Sequence, residues 1–184
     1  MKGKIQKADA LIIKKISKLH NRTNNRIMAI ITTLGTGGLV WFLLCVPLIF
    51  TKNNLDAAIS ILLGILIAWL VGEVTIKRIV GRVRPSDQIP EDEQIIKRPK
   101  FYSFPSGHSA SSFSVVAVCL VRCAPYITIP VVVLATLIAF SRLYLRVHYL
   151  TDVLAGMFLG LICGFAAVGL FDSITHNVIG IYFI

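Results

Sequence analysis

The chain has 184 residues, 55% of them hydrophobic and 15% charged, with a mean hydropathy of +0.76. A soluble domain carries more charge and less apolar mass, and several unbroken apolar stretches here are long enough to cross a bilayer, which excludes a soluble globular fold. The net charge of +10 sits mainly at the ends of apolar segments, which suits membrane anchoring better than nucleic acid, and no nucleic-acid-binding signature accompanies it.

The chain reads as an all-α, polytopic membrane bundle of about five transmembrane helices, preceded by an amphipathic interfacial helix. Two parts are expected: a basic interfacial segment over 1–26 and a transmembrane domain over 27–184. In the first, Ile5, Ile12, Ile16 and Leu19 recur at helical spacing while Lys7, Lys14, Lys15 and Lys18 take other positions, the pattern of a helix lying on anionic lipid. The basic start is not followed by an apolar core long enough for a secretory signal. Asn21 to Asn25 reads as a polar break.

Ile27 to Phe50 is the first expected span, with Gly35, Gly37 and Gly38 as small residues for close helix contact. After a polar turn over 51–56, the second span starts at Ala57, becomes amphipathic near Glu73 and is stopped by Pro85. The connection from Ser86 to Phe104 is the longest polar one, and such a loop in a compact bundle is usually functional. The third span runs from Ser106 to Ala124, and its many serines suggest burial against other helices. Ile127–Tyr144 and Val153–Phe171 are the fourth and fifth, and Val178–Ile184 is too short to span. Cys45, Cys119, Cys123 and Cys163 lack zinc-site spacing and read as packing residues.

Three polar clusters interrupt this apolar chain, and five spans bring all three to one side of the membrane. In the first, Lys77 and Arg84 are seven residues apart, two helical turns, so one helix face can aim both at one target. Lysine supplies a point charge and arginine a planar fork matched to phosphate oxygens. The plainer reading is a basic helix end snorkelling to headgroups, which suits Arg78 and Arg82 better. Glu73 is placed to pair with Lys77. In the second, Pro105-Ser106-Gly107-His108 enters a helix: Ser106 is a natural N-cap, free backbone N–H groups bind anions, and Gly107 admits a phosphate close to the backbone. His108 can then donate a proton to a leaving oxygen. In the third, Ser141-Arg142 precedes His148 and Asp152, whose four-residue spacing lets the carboxylate orient the imidazole for attack on phosphorus. Each cluster alone also has a bland reading as a cap or a structural ion pair.

Together the clusters resemble the type 2 phosphatidic acid phosphatase (PAP2) superfamily, which also includes vanadium-dependent haloperoxidases. The family pattern of lysine, six residues, Arg-Pro is met by Lys77 through Arg84-Pro85. Its Pro-Ser-Gly-His is Pro105 to His108, and its Ser-Arg, five residues, His, three residues, Asp is Ser141-Arg142, His148 and Asp152. The resemblance covers about Leu55 to Phe171. It implies His148 as nucleophile, Asp152 as its partner and His108 as general acid. Lys77, Arg84, Ser106, Gly107 and Arg142 would bind the phosphate. It also implies hydrolysis of lipid phosphates, such as phosphatidic acid, phosphatidylglycerol phosphate or undecaprenyl diphosphate, without a metal or other cofactor.

Many bacterial members have six spans, and the expected five leave out the first. Many also act on the outer face of the membrane, whereas all Lys and Arg residues here except Lys52 and Arg122 fall on the side of the clusters, which the positive-inside rule assigns to the cytoplasm. Transfer of phosphate to another acceptor and non-catalytic binding of a lipid phosphate are the alternative functions. Neither the particular lipid nor the oligomeric state is encoded in these motifs.

Overall fold

A computed structural model describes residues 2–51 and 54–182, and the side chains of 3–51 and 54–177. Among the described residues eight α-helices follow in order: α1 Lys2–Ser17, α2 Arg22–Leu34, α3 Leu39–Phe50, α4 Leu55–Trp69, α5 Lys77–Val80, α6 Gly107–Arg122, α7 Pro125–Tyr144 and α8 Leu150–Tyr182. Three stretches are long and apolar enough to cross a membrane, and a fourth is so if the bent pair α2 and α3 is one span. The protein is thus a multi-pass, all-helical membrane protein. Of the loop expected over 51–56, Lys52 and Asn53 lie outside the described residues, as do Met1, Phe183 and Ile184 at the ends of the chain.

The first expected span is broken. The segments Arg22–Leu34 and Thr36–Phe50 meet at 49°, because Gly37 and Gly38 adopt φ of 61° and 76°, a region that favours glycine. These glycines serve the bend rather than helix contact. Gly35 does make a close approach, since a Cβ there would meet Ile138 and the His108 ring. The polar break is shorter than Asn21 to Asn25: Asn21 caps α2 by accepting from Asn24 N–H at 2.8 Å, and 22–25 are helical. The boundary expected at 26/27 therefore falls inside α2.

The second span also ends differently. From Leu70 to Ile76 it is a π-helix, in which the Thr75 hydroxyl donates to Leu70 O at 3.0 Å, and it closes with α5. Gly81, at φ 59°, ends α5 four residues before Pro85, which instead opens a 3-10 turn. At the other end of the chain α8 continues as helix through Tyr182, so the tail expected to be separate extends the last helix.

α6 occupies the centre of the bundle, with Ser109, Ser112, Ser114, Ala117 and Val118 fully buried. At 16 residues it rises about 24 Å, and it is not among the helices long enough to count as a span. It packs on α8 along Gly156, Gly160 and Gly164, where a Cβ would overlap backbone atoms of Ser106, Ala110 and Ser114. Such small-residue seams replace the hydrophobic effect as the basis of helix packing in lipid. Trp41 on α3 crosses to donate its indole N–H to Ser112 Oγ at 3.1 Å. Large apolar side chains such as Leu43, Ile59, Val133, Phe158 and Ile162 face outward, as a lipid solvent permits. The cysteines are free, and three of the four are buried.

Candidate active site

The elements converge at one end of the bundle. Gly81 breaks the helix, so Arg84 reaches the site from extended backbone and not from the helix face of Lys77. Its position is nonetheless fixed: Nε donates to Phe101 O at 2.5 Å and Nη1 to Val147 O at 2.9 Å. The long loop expected to be functional therefore supplies part of the site. Pro99 and Phe101 line the cavity, and Phe101 anchors Arg84.

Ser106 caps α6, accepting from Ser109 N–H at 3.4 Å and from the Ser109 hydroxyl at 2.9 Å. Its own N–H donates to Asp152 O at 3.0 Å, which ties the start of α6 to the first turn of α8. Gly107 lies against the Glu73 carboxylate, where a Cβ would collide with it. Glu73 forms an ion pair with Lys77, the pairing expected from their spacing. The π-helical turn thus ends with both groups on the cavity wall.

His148 precedes α8 and Asp152 lies in its first turn. Asp152 Oδ2 accepts Tyr149 N–H at 2.9 Å and stands 3.7 Å from His148 Nδ1, too far for a hydrogen bond but on the expected side of the ring. His148 Nε2 accepts from Arg84 Nη1 at 3.0 Å. Since arginine can only donate, Nε2 carries the lone pair and Nδ1 the proton. The buried imidazole is held well below the ordinary histidine range, first by loss of solvent, then by the positive charges of Arg142, Arg84 and Lys77.

Lys77, Arg84, Gly107, His108, Arg142 and His148 line one cavity of about 610 Å³. Asp152 lies behind His148 with no exposure, and Ser106 lies beneath the helix start with its hydroxyl turned to Ser109. Six of the eight expected residues thus meet on the cavity wall, and two support it. Arg142 is steadied by Thr32, and His108 Nε2 lies 3.4 Å from Thr36 Oγ1, so the end of α2 and the start of the bend contribute partners that no motif announces. The rest of the cavity is apolar, with Phe42, Leu62, Ile65, Leu66 and Trp69 along α3 and α4.

Three features were not read from the sequence. Arg82 does not snorkel to lipid, for it bonds Asp152 and Asp9. Asp9 is buried on a helix otherwise largely exposed. His20 bonds Tyr144 O at 2.9 Å and docks the α1–α2 turn on α7. A lone acidic residue on a basic amphipathic helix was the available signal for Asp9.

An all-helical membrane fold whose cavity joins three phosphate-matched cations, two histidines and an apolar trough defines a membrane phosphatase. Comparison with known proteins gives the same class. The model of the PAP2 superfamily matches residues 55–175. Phosphatidylglycerophosphatase B of Bacillus subtilis is 31% identical, over 94% of this chain and 87% of that protein. The undecaprenyl-diphosphatase of Sulfolobus acidocaldarius is also 31% identical, over 79% and 70%. The crystal structure of a transmembrane PAP2-type phosphatidylglycerolphosphate phosphatase from B. subtilis superposes with a TM-score of 0.75 at 31% identity, covering 92% of this chain and 87% of that one. The chain belongs to the PAP2 superfamily.

Proposed function

We propose that this phosphatase hydrolyses a lipid phosphate or isoprenyl diphosphate by a metal-independent route through a phosphohistidine on His148. The observation that carries the reading is one continuous cavity, charged at one end and apolar along the rest, which suits a phosphate headgroup on a hydrocarbon chain.

His148 Nε2 attacks phosphorus, a P–N bond forms, and the P–O bond to the lipid breaks. His108 gives its proton to the departing oxygen. Lys77, Arg84 and Arg142 take up the negative charge of the transferring phosphoryl group, so the charge that a metal supplies elsewhere comes from side chains. The helix start at Ser106-Gly107 adds backbone donors. Asp152 stabilises the proton left on Nδ1. In the second step His108 takes a proton from water, the water oxygen bonds to phosphorus, the P–N bond breaks, and inorganic phosphate leaves. The substrate classes of the relatives, phosphatidylglycerol phosphate and undecaprenyl diphosphate, are the first candidates.

The site belongs at the cytoplasmic face of the cell membrane by the distribution of Lys and Arg, with α1 at the lipid surface as an interfacial segment. Labelling a cysteine introduced at Gln94, in a variant without the native cysteines, with an impermeant reagent on intact cells tests this. Protection until lysis is expected, and labelling of intact cells places the site outside.

Phosphate release by purified protein in excess EDTA, across a panel of lipid mono- and diphosphates, tests the chemistry. The wild type releases phosphate and His148→Ala does not. Release by the variant at the wild-type rate overturns the histidine route, and loss of release in EDTA overturns metal independence.

A further inference from the structure

Arg82 belongs to the first cluster but does not line the cavity. Its guanidinium turns behind the site: Nη1 donates to Asp152 Oδ1 at 2.5 Å and Thr151 Oγ1 at 2.7 Å, while Nη2 donates to Asp9 Oδ2 at 2.7 Å. Asp9 also accepts the Thr151 hydroxyl at 2.6 Å and the Thr151 N–H at 3.2 Å. The Tyr149 ring packs 4.1 Å from the guanidinium carbon. A buried carboxylate on a basic helix is unfavourable unless its charge and lone pairs are matched. Asp9, 1% exposed, meets that condition through Arg82 and Thr151 alone among the contacts described.

We propose that Asp9 is a positioning residue for the hydrolytic reaction, holding Arg82 against Asp152 and sharing its charge so that Asp152 stays aligned and negative behind His148. The proposal rests on the reading of His148 as nucleophile.

The charge balance is the reason. Asp9, Arg82 and Asp152 together carry one net negative charge. Without Asp9, Arg82 and Asp152 form a neutral pair, and nothing behind the ring offsets Arg142, Arg84 and Lys77 on the cavity side. His148 gains positive charge as the P–N bond forms, so the negative group behind Nδ1 lowers the energy of that step. The groups facing His148 are thus Arg84, Arg142, His108 and the Lys77–Glu73 pair on the cavity side, with Asp152, Arg82, Asp9 and Tyr149 behind. α1 thereby becomes part of the catalytic apparatus, though it lies outside the stretch 55–175 that the family model covers.

Asp9→Asn, which keeps shape and removes charge, tests this in the purified full-length protein beside Asp9→Glu and His148→Ala. For Asp9→Asn, kcat falls by about tenfold, the lower end for losing an outer carboxylate behind a functional histidine, with KM little changed. The acid limb of kcat/KM moves down by about half a pH unit, because losing a nearby negative charge disfavours the imidazolium. Asp9→Glu keeps the limb at the wild-type position. An unmoved limb in Asp9→Asn overturns the proposal whether or not kcat falls, since a merely structural prop scales activity at every pH. If Asp9→Asn does not fold, Asp9→Ser, smaller and equally neutral, is read on the same limb: a downward move of about half a pH unit supports the relay, and an unmoved limb overturns it. His148→Ala separates the two readings: inactive, it leaves the relay to be judged on Asp9; active, it removes the nucleophile and the relay together.

Discussion

Arg84 Nη1 lies 3.0 Å from His148 Nε2, so a group that would grip the phosphate touches the atom that would attack it. The same guanidinium is held by Phe101 O and Val147 O, which leaves little freedom in its plane. A lysine is a compact point charge and cannot present this planar fork. Arg84→Lys is therefore expected to lower kcat/KM by about a hundredfold, the usual loss for one preorganised donor to a developing anion. Steady-state hydrolysis on lipid substrate in detergent checks it, and a change within threefold removes Arg84 from phosphate binding.

The protonation state of His148 sets the acid limit of activity. Attack needs the neutral ring, and burial with Arg142, Arg84 and Lys77 holds its pKa well below the usual 6.5. Activity on free enzyme is therefore retained as pH falls through 6.5 and lost only as it passes the lower folded value. The stability contribution has the same sign. Unfolded His148 binds a proton near 6.5 and folded His148 does not, so this contribution is full above 6.5 and declines as pH falls below it. A pH profile of kcat/KM, corrected for titration of the substrate phosphate, checks the first statement. A limb at 6.5 or above contradicts it.

The convergence of the candidate site residues was more legible than the bends of the helices that carry them. Lys77, Arg84, Gly107, His108, Arg142 and His148 meet on one wall because charged groups in apolar helices are retained only where they find partners, and their spacing survives in sequence. The route by which Arg84 arrives was not legible: a seven-residue interval fits a helix face, but Gly81 ends the helix and the loop carbonyls aim the side chain instead. Nor was the bend at Gly37 and Gly38, since small residues in an apolar span serve close packing and left-handed turns equally well. Asp9 and Arg82 escaped because their partners are 73 and 70 positions away, beyond any local pattern.

Among the described residues Glu73 is the one carboxylate on the cavity wall, between Lys77 and the start of α6. It offsets the buried Lys77 cation and opposes an incoming phosphate. Glu73→Gln is expected to separate these effects. Vanadate, a phosphate mimic, should inhibit at a several-fold lower concentration, because a repulsive charge has gone. Thermal stability should fall, because Lys77 is only 5% exposed and loses its counter-charge. Inhibition assays and a melting curve on the same preparation check both, and weaker vanadate inhibition refutes the repulsion.

The seam between α6 and α8 fixes the distance between the two histidines, since His108 starts one helix and His148 precedes the other. Gly160 lies within it, and a Cβ there would overlap Ala110 O and crowd Ser114 N at 2.9 Å. These are backbone atoms of a buried helix and cannot rotate away as a side chain would. Gly160→Ala should thus destabilise the protein by about 1–3 kcal/mol, the range for overpacking a well-filled interior. By separating the helices it should also lower kcat more than Gly169→Ala, a change on the same helix where a Cβ meets nothing within 4 Å. Melting curves and turnover of the two variants side by side check this, and equal behaviour denies the seam its role in setting the site.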